Sequence, residues 1–390
     1  MPLSVFRVSN NNIINNIMKS RLVHLDCLRG LAALLVVLEH LRAFLFLPYS
    51  EIKFSGILLK LFYFITCLGH QAVIVFFVLS GFLVGGSVLN SFQKGTWTWS
   101  GYLIRRMSRL WVVLIPALIL TLLWDHIGLS MNASGYHGDY MHLYHSGPGP
   151  SHPADLSFKS FFGNLFFLQT VVVPVFGTNG PLWSLANEFW YYLIFPVALA
   201  LFTTKSRGNR FVYLIILTFI FLLLPKSIIL LGFAWALGVI SYLMVHSQVV
   251  SEWAKKNLYL GISLLFVIIL LALSRAGKLG DYFDYILAVS IMLLIPSLAV
   301  RTIKPGPYSM LSVAASEISY TLYLVHCPPL FLIFFTKFGG KQFLPSPQSF
   351  GIFLFLLISI FIYSTLIWLV FERNTDSIRM QIEKLLRLKP

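Results

Sequence analysis

Arg29 and His40 stand eleven residues apart in one apolar run, LDCLRGLAALLVVLEHLRAF (residues 25–44). At ~100° per residue, that spacing makes three turns plus about 20°, so both side chains share one helix face, roughly 16 Å apart along the axis. An ionisable side chain inside a membrane-spanning helix is costly and marks a functional site by default. Imidazole is the usual proton acceptor near neutral pH, and guanidinium suits phosphate. The pair fits a donor molecule with a charged head at the helix end and a reactive group deeper in the membrane. The plainer reading is an Arg that snorkels to the interface and a His that bonds to a neighbouring helix.

Three more clusters carry chemistry-bearing residues. In SGYLIRRMSRLW (100–111), Arg106 and Arg109 share a helix face at i, i+3, with Arg105 beside them. They read either as an ordinary cytoplasmic charge cluster or as a phosphate clamp. In GPLWSLANEFWYYL (180–193), Glu188 lies among Trp183, Trp190, Tyr191 and Tyr192. The aromatics alone would make an interfacial belt; a buried Glu among them can accept hydrogen bonds from sugar hydroxyls. In SEISYTLYLVHCPP (316–329), His326 is expected mid-span, with Pro328 and Pro329 disturbing the helix beyond it; the alternative is a polar contact between helices. His137, His142, His145 and His152 recur in the polar stretch 129–160, but their spacing matches no metal cage, so no metal site is expected. That stretch reads instead as a flexible loop near an external substrate.

These residues must be positioned by membrane helices. The chain has 390 residues, of which 57% are hydrophobic and only 11% charged. That excludes a soluble domain of this size, and continuous rather than alternating apolar runs exclude a β-barrel. The expected fold is an all-α polytopic integral membrane protein, with about ten transmembrane helices in one bundle. The candidate spans are 25–47, 69–90, 108–128, 181–203, 211–225, 227–247, 258–274, 283–301, 317–337 and 349–371. Residues 54–66 and 161–176 are apolar but interrupted and could be re-entrant or interfacial. The layout is a polar cytoplasmic tail (1–24), a transmembrane domain (25–371) and a basic cytoplasmic tail (372–390). The first apolar run is too long for a cleaved signal peptide. With the N-terminus inside, ten spans place most Lys and Arg on the inner side, so both termini are expected in the cytoplasm. The net charge of +15 is therefore mostly an orientation signal and not a nucleic-acid footprint. Cys27, Cys67 and Cys327 read as small core residues, not disulfide partners or metal ligands.

Taken together, the segments resemble the membrane-bound acyltransferase 3 family of sugar and polysaccharide O-acyltransferases. LDCLRGLAALLVVLEH resembles that family's first helix, with its R-x10-H pattern at Arg29 and His40. FFVLSGFLVG (76–85), the R-x-x-R of Arg106 and Arg109, GPLWSLANEFWYYL, SYTLYLVH ending at His326, and FER (371–373) follow in the family's order. The resemblance implies a multi-pass enzyme of the cell inner (plasma) membrane. It would move an acyl group, by default acetyl, from cytoplasmic acyl-CoA to a hydroxyl of an extracytoplasmic or lipid-linked glycan, such as a surface polysaccharide. It implies His40 as the catalytic general base and Arg29, Arg105, Arg106 and Arg109 as acyl-CoA-binding residues. Glu188 carries over as a second catalytic candidate. Asp26, Trp183, Ser184, Tyr323 and His326 take acceptor-side or supporting roles. Acetyl-CoA or another acyl-CoA would be the donor, with no metal. Cys27 stands where the family usually has Gly, and Asn374 follows FER where Pro is common. No appended hydrolase-like domain is expected. A transporter or flippase of a lipid-linked sugar would also use many spans and intramembrane charges, but the chain carries no internal inverted repeat. A non-catalytic interaction protein would leave the Arg29/His40 stripe unexplained.

Overall fold

The computed structural model describes residues 22–53, 56–138, 153–274 and 282–386. These residues are mostly helical, with isolated β-bridges and no strand among them. In chain order the helices are α1 (Val23–Leu45), α2 (Ile57–Ile65), α3 (Gly69–Gln93), α4 (Trp99–Met131), α5 (Phe158–Leu165), α6 (Leu182–Thr203) and α7 (Arg207–Leu223). They continue with α8 (Lys226–His246), α9 (Gln248–Ala254), α10 (Asn257–Ser274), α11 (Phe283–Ala299), α12 (Pro307–Val325), α13 (Cys327–Lys337), α14 (Pro347–Val370) and α15 (Thr375–Leu385).

Every predicted span falls on a helix, but length and composition make fewer of them membrane-capable. Six helices pass: α3, α4, α6, α8, α10 and the stretch Pro347–Leu385; a seventh is the pair α12 and α13, counted as one broken span. The chain is accordingly a multi-pass membrane protein. α1 carries Asp26, Arg29, Glu39 and Arg42, and α7 and α11 are only 17 residues each. The expected span 317–337 differs most. Its helix begins ten residues earlier, at Pro307, and breaks at His326 with a 51° bend. Residues 57–65 of the interrupted stretch 54–66 form the nine-residue α2, and 161–176 holds the end of α5 followed by non-helical chain. His137 closes a single 3₁₀ turn, Ser134–His137, while His142, His145 and His152 lie outside the described residues. Cys27, Cys67 and Cys327 carry free thiols.

The chain divides into two compact units. The first takes residues up to Ala32, then Gln71–Gly95 and Asn187–Ser316. In it α8 packs on α11 and on a wide π turn, Gly81–Gly85, within α3. Two glycines permit that contact. A β-carbon on Gly81 would stand 1.9 Å from the Trp235 carbonyl oxygen, and one on Gly238 would stand 2.0 Å from that of Val78. Backbone therefore meets backbone, the close approach by which membrane helices gain packing without a hydrophobic driving force. Arg301 closes the C-terminal end of α9, donating to the carbonyls of Ala254 at 2.7 Å and of Lys255 and Lys256 at 3.1 Å.

The second unit takes Ala33–His70, Thr96–Ala186 and Glu317 onward. Here α13 and α15 pack on α4. Phe44, Phe331, Phe334 and Phe335 form an aromatic core joined by tilted and edge-on contacts. The chain leading from α5 toward α6 carries buried Phe167 and exposed Thr170 at φ of 59° and 63°, a conformation costly for residues with a β-carbon. Asn164 pins this loop, accepting from the Phe176 N–H at 3.1 Å and donating to the Pro174 carbonyl at 2.9 Å.

Candidate active site

The bend between α12 and α13 follows from sequence. Residues 328 and 329 are both proline, which has no N–H and is tolerated only in the first turn of a helix. A helix running through would need those N–H groups for the carbonyls of Leu324 and Val325. The chain instead ends α12 at Val325 and starts α13 at Cys327, leaving His326 at the break with no exposed surface.

His326 and His40 meet there. Nδ1 of His40 lies 2.8 Å from Nε2 of His326, with the rings stacked at 26° and centroids 5.1 Å apart. Proton placement follows from the acceptors available. Nδ1 of His326 faces the Leu322 carbonyl oxygen at 2.9 Å, and a carbonyl can only accept, so this nitrogen carries the proton. In a neutral imidazole Nε2 then holds the lone pair, and the shared bond must be donated by His40 Nδ1–H. The other nitrogen of His40, Nε2, is left with its lone pair, and the residue is half-buried. A base oriented through its other nitrogen is the arrangement a proton-transfer catalyst requires.

Two neighbouring hydroxyls complete this cluster of the second unit. The Tyr323 ring stands edge-on to His326, with centroids 6.3 Å apart, and its hydroxyl lies 2.7 Å from Ser184 Oγ. Ser184 Oγ also donates to the Pro181 carbonyl at 3.2 Å. Trp183, beside Ser184 in the first turn of α6, is half-buried. Glu39, the neighbour of His40, does different work. Its carboxylate accepts from the His70 N–H at 3.0 Å, capping the N-terminal end of α3, where a negative charge is favoured.

On α4, Arg106 is half-buried with its guanidinium 5.8 Å from the Tyr102 ring centroid, while Arg105 and Arg109 are exposed. Arg29 and His40 both belong to the unbroken α1, as their spacing predicts.

In the first unit, Arg29 pairs with Asp26 at 3.0 Å, and Asp26 also accepts from the Ser316 hydroxyl at 2.8 Å. Asp26 therefore holds the guanidinium, a supporting role. Glu188 ends a directed chain of hydrogen bonds. The Trp235 indole N–H donates to Ser80 Oγ at 3.1 Å, Ser80 lies 3.1 Å from the Tyr192 hydroxyl, and Tyr192 donates to Glu188 at 2.9 Å. Because the one hydroxyl hydrogen of Tyr192 goes to Glu188, Tyr192 must accept from Ser80, and every hydrogen in the chain points toward the carboxylate. Ser80 precedes the wide turn of α3, the kind of irregularity found at functional positions.

Sequence reasoning brought forward His40, His326, Tyr323 and Ser184, and the second unit gathers all four. It missed Ser80 and Trp235, and it missed the link between two of its own motifs: Glu372 of FER accepts from the backbone N–H at 3.1 Å and the hydroxyl of Thr321 in SYTLYLVH. Among the described residues, no group of three His, Cys, Asp or Glu could hold a metal ion.

Comparison with known proteins places these motifs in one frame. The family model of the acyltransferase 3 acyltransferase domain matches residues 22–369. An uncharacterized protein of Haemophilus influenzae is 27% identical over 163 residues, which are 41% of this chain. Those residues cover 61% of that relative's length. No solved structure matches.

Proposed function

This chain belongs to the acyltransferase 3 family and is an acyltransferase, and from that premise we propose that it moves an acyl group, acetyl by default, from acyl-CoA to a glycan hydroxyl, with His40 as general base. The observation that carries the reading is the hydrogen bond from His40 Nδ1 to His326 Nε2, made while Nδ1 of His326 is committed to the Leu322 carbonyl. His40 Nε2 takes the proton of the acceptor hydroxyl as its oxygen attacks the thioester carbonyl. The carbon–sulfur bond of the resulting tetrahedral intermediate breaks, and the CoA thiolate leaves with the proton returned by the His40 imidazolium.

The remaining roles belong to the same proposal. Arg106 and Arg109, with Arg105 beside them, bind the donor's phosphates, and Arg29 does so from α1. Glu188, with hydroxyl and indole groups aligned behind it, accepts hydrogen bonds from the sugar; Trp183, Ser184 and Tyr323 support the acceptor. The acceptor is an extracytoplasmic or lipid-linked glycan such as a surface polysaccharide. The protein spans the inner membrane ten times with both termini in the cytoplasm, where acyl-CoA is found.

Incubation of the purified protein with radiolabelled acetyl-CoA and a cell glycan extract tests this reading. Wild type should transfer label to glycan, and folded His40→Ala should transfer ~10²–10⁴-fold less, the contribution of a general acid–base group. Near-normal transfer by His40→Ala sinks the mechanism. Glycan movement across vesicles without any label transfer would favour a transporter.

A further inference from the structure

Asp125, near the C-terminal end of α4, is fully buried and has no part in the chemistry above. Both carboxylate oxygens grip one residue of the chain leading into α6: the Thr178 N–H donates to Oδ2 and the Thr178 hydroxyl to Oδ1, each at 2.7 Å. The grip needs Gly177, whose φ is +56° and whose absent β-carbon would stand 2.1 Å from Oδ2.

Thr178 is held so that Asn179 can act. Asn179 is fully buried, and its Nδ2 donates to Thr121 Oγ1 at 3.1 Å and to the Leu324 carbonyl at 2.8 Å. The amide orientation is unambiguous, because the Thr121 hydroxyl already donates to Ala117 at 2.8 Å and can only accept from Asn179. Leu324 is the residue whose helical partner would be position 328, and position 328 is Pro. Asn179 supplies the hydrogen that Pro328 lacks. The Cys327 thiol, on the far side of the break, donates back to the Thr178 carbonyl at 3.4 Å. Residues on both sides of His326 are thus tied to one turn, and that turn is tied to α4.

We propose that Asp125 and Asn179 are positioning residues for acyl transfer: the Asp125–Thr178 grip and the Asn179–Leu324 bond hold the bend that brings His326 Nε2 to His40 Nδ1. The proposal rests on the reading of His40 as base. It accounts for a carboxylate and a carboxamide, both without exposed surface, spent on one turn of backbone. Leaving the Leu324 carbonyl and the amide unpaired would release the bend, and a displacement of about 1 Å at a catalytic group costs on the order of 10²-fold in rate.

The test uses full-length protein in nanodiscs, with acetyl-CoA as donor and a saturating glycan extract. Asn179→Asp keeps the volume but turns a donor toward Leu324 into an acceptor; Asp125→Ala removes the grip. Each should lower kcat on the order of 10²-fold, with the KM for acetyl-CoA within about twofold of wild type. The ¹⁵N ring resonances of His40 and His326, assigned by their disappearance in His40→Ala and His326→Ala, should move in both variants. Pro328→Ala restores a backbone donor to Leu324, favours a straight helix and should also lower kcat, so the proposal stays testable if the Asp125 and Asn179 variants do not fold. Normal kcat per folded molecule with unmoved ring resonances overturns it. If His40→Ala is inactive while Asn179→Asp and Pro328→Ala are normal, only the positioning role falls; if His40→Ala is active, the general-base reading falls first.

Discussion

His40 and His326, 286 positions apart in sequence, share one hydrogen bond of 2.8 Å, and its direction is set by a third group, the Leu322 carbonyl. Neither imidazole has a carboxylate in this chain of bonds. The tautomer is fixed by backbone alone, through a residue one helical turn before the bend.

That relationship separates two substitutions. In His326→Gln the amide oxygen can still accept from His40 Nδ1–H, whereas His326→Phe keeps a ring and removes the acceptor. Glycan acylation should fall about 10²-fold or more in His326→Phe and by distinctly less in His326→Gln. Equal loss in both, measured as label transfer per folded molecule, would reduce His326 to a packing residue.

The arginines of α4 should report on the donor. Arg106→Ala and Arg109→Ala each remove a charge-assisted phosphate bond worth roughly 1.5–3 kcal/mol, or about ten- to a hundredfold in the KM for acyl-CoA. Lysine at either position should recover part of the loss, because the two-pronged fork is gone while the charge remains. Unchanged acyl-CoA binding by the folded double variant would leave the cluster as a topology signal.

Glu188 should report on the acceptor. Glu188→Gln is expected to impair transfer to glycan while acyl-CoA binding persists. Tyr192→Phe, which removes one donor to that carboxylate, should reproduce a smaller part of the defect. Parallel loss of donor binding in both variants would mark Glu188 as a strut between helices.

Glu372 should report on stability. Glu372→Ala leaves the Thr321 N–H and hydroxyl without this acceptor, a cost of about 1–3 kcal/mol. The thermal midpoint of the purified protein should drop while kcat per folded molecule persists, and an unaltered midpoint would contradict the role.

Much of this was legible in the chain. Hydropathy placed each of the ten expected spans on a helix, though not the short helices α2, α5, α9 and α15, and the eleven-residue spacing put Arg29 and His40 on one helix. Pro328-Pro329 announced a disturbance, but whether a helix merely kinks or breaks depends on what fills the vacated carbonyls, and that partner, Asn179, is 145 residues away from Leu324. Asp125 was invisible for a related reason. One acidic residue near a helix end reads as interfacial, and only a partner 53 residues later makes it a buried grip. Glu39, next to His40 in sequence, points about 100° away from it around the helix, and its carboxylate caps α3.

The distance in sequence between His40 and His326 also orders the protein's biogenesis. His40 belongs to α1, the first helix among the described residues, while its partner lies beyond α11 and the whole of α12. Until residue 326 is made, His40 lacks the group that selects its proton. A chain interrupted before residue 326 can already hold Arg29, Arg106 and Arg109 and yet has no His40–His326 hydrogen bond. On the proposed mechanism, thioester chemistry would begin only when nearly the whole polypeptide has been made, which would spare acyl-CoA from idle hydrolysis on unfinished molecules.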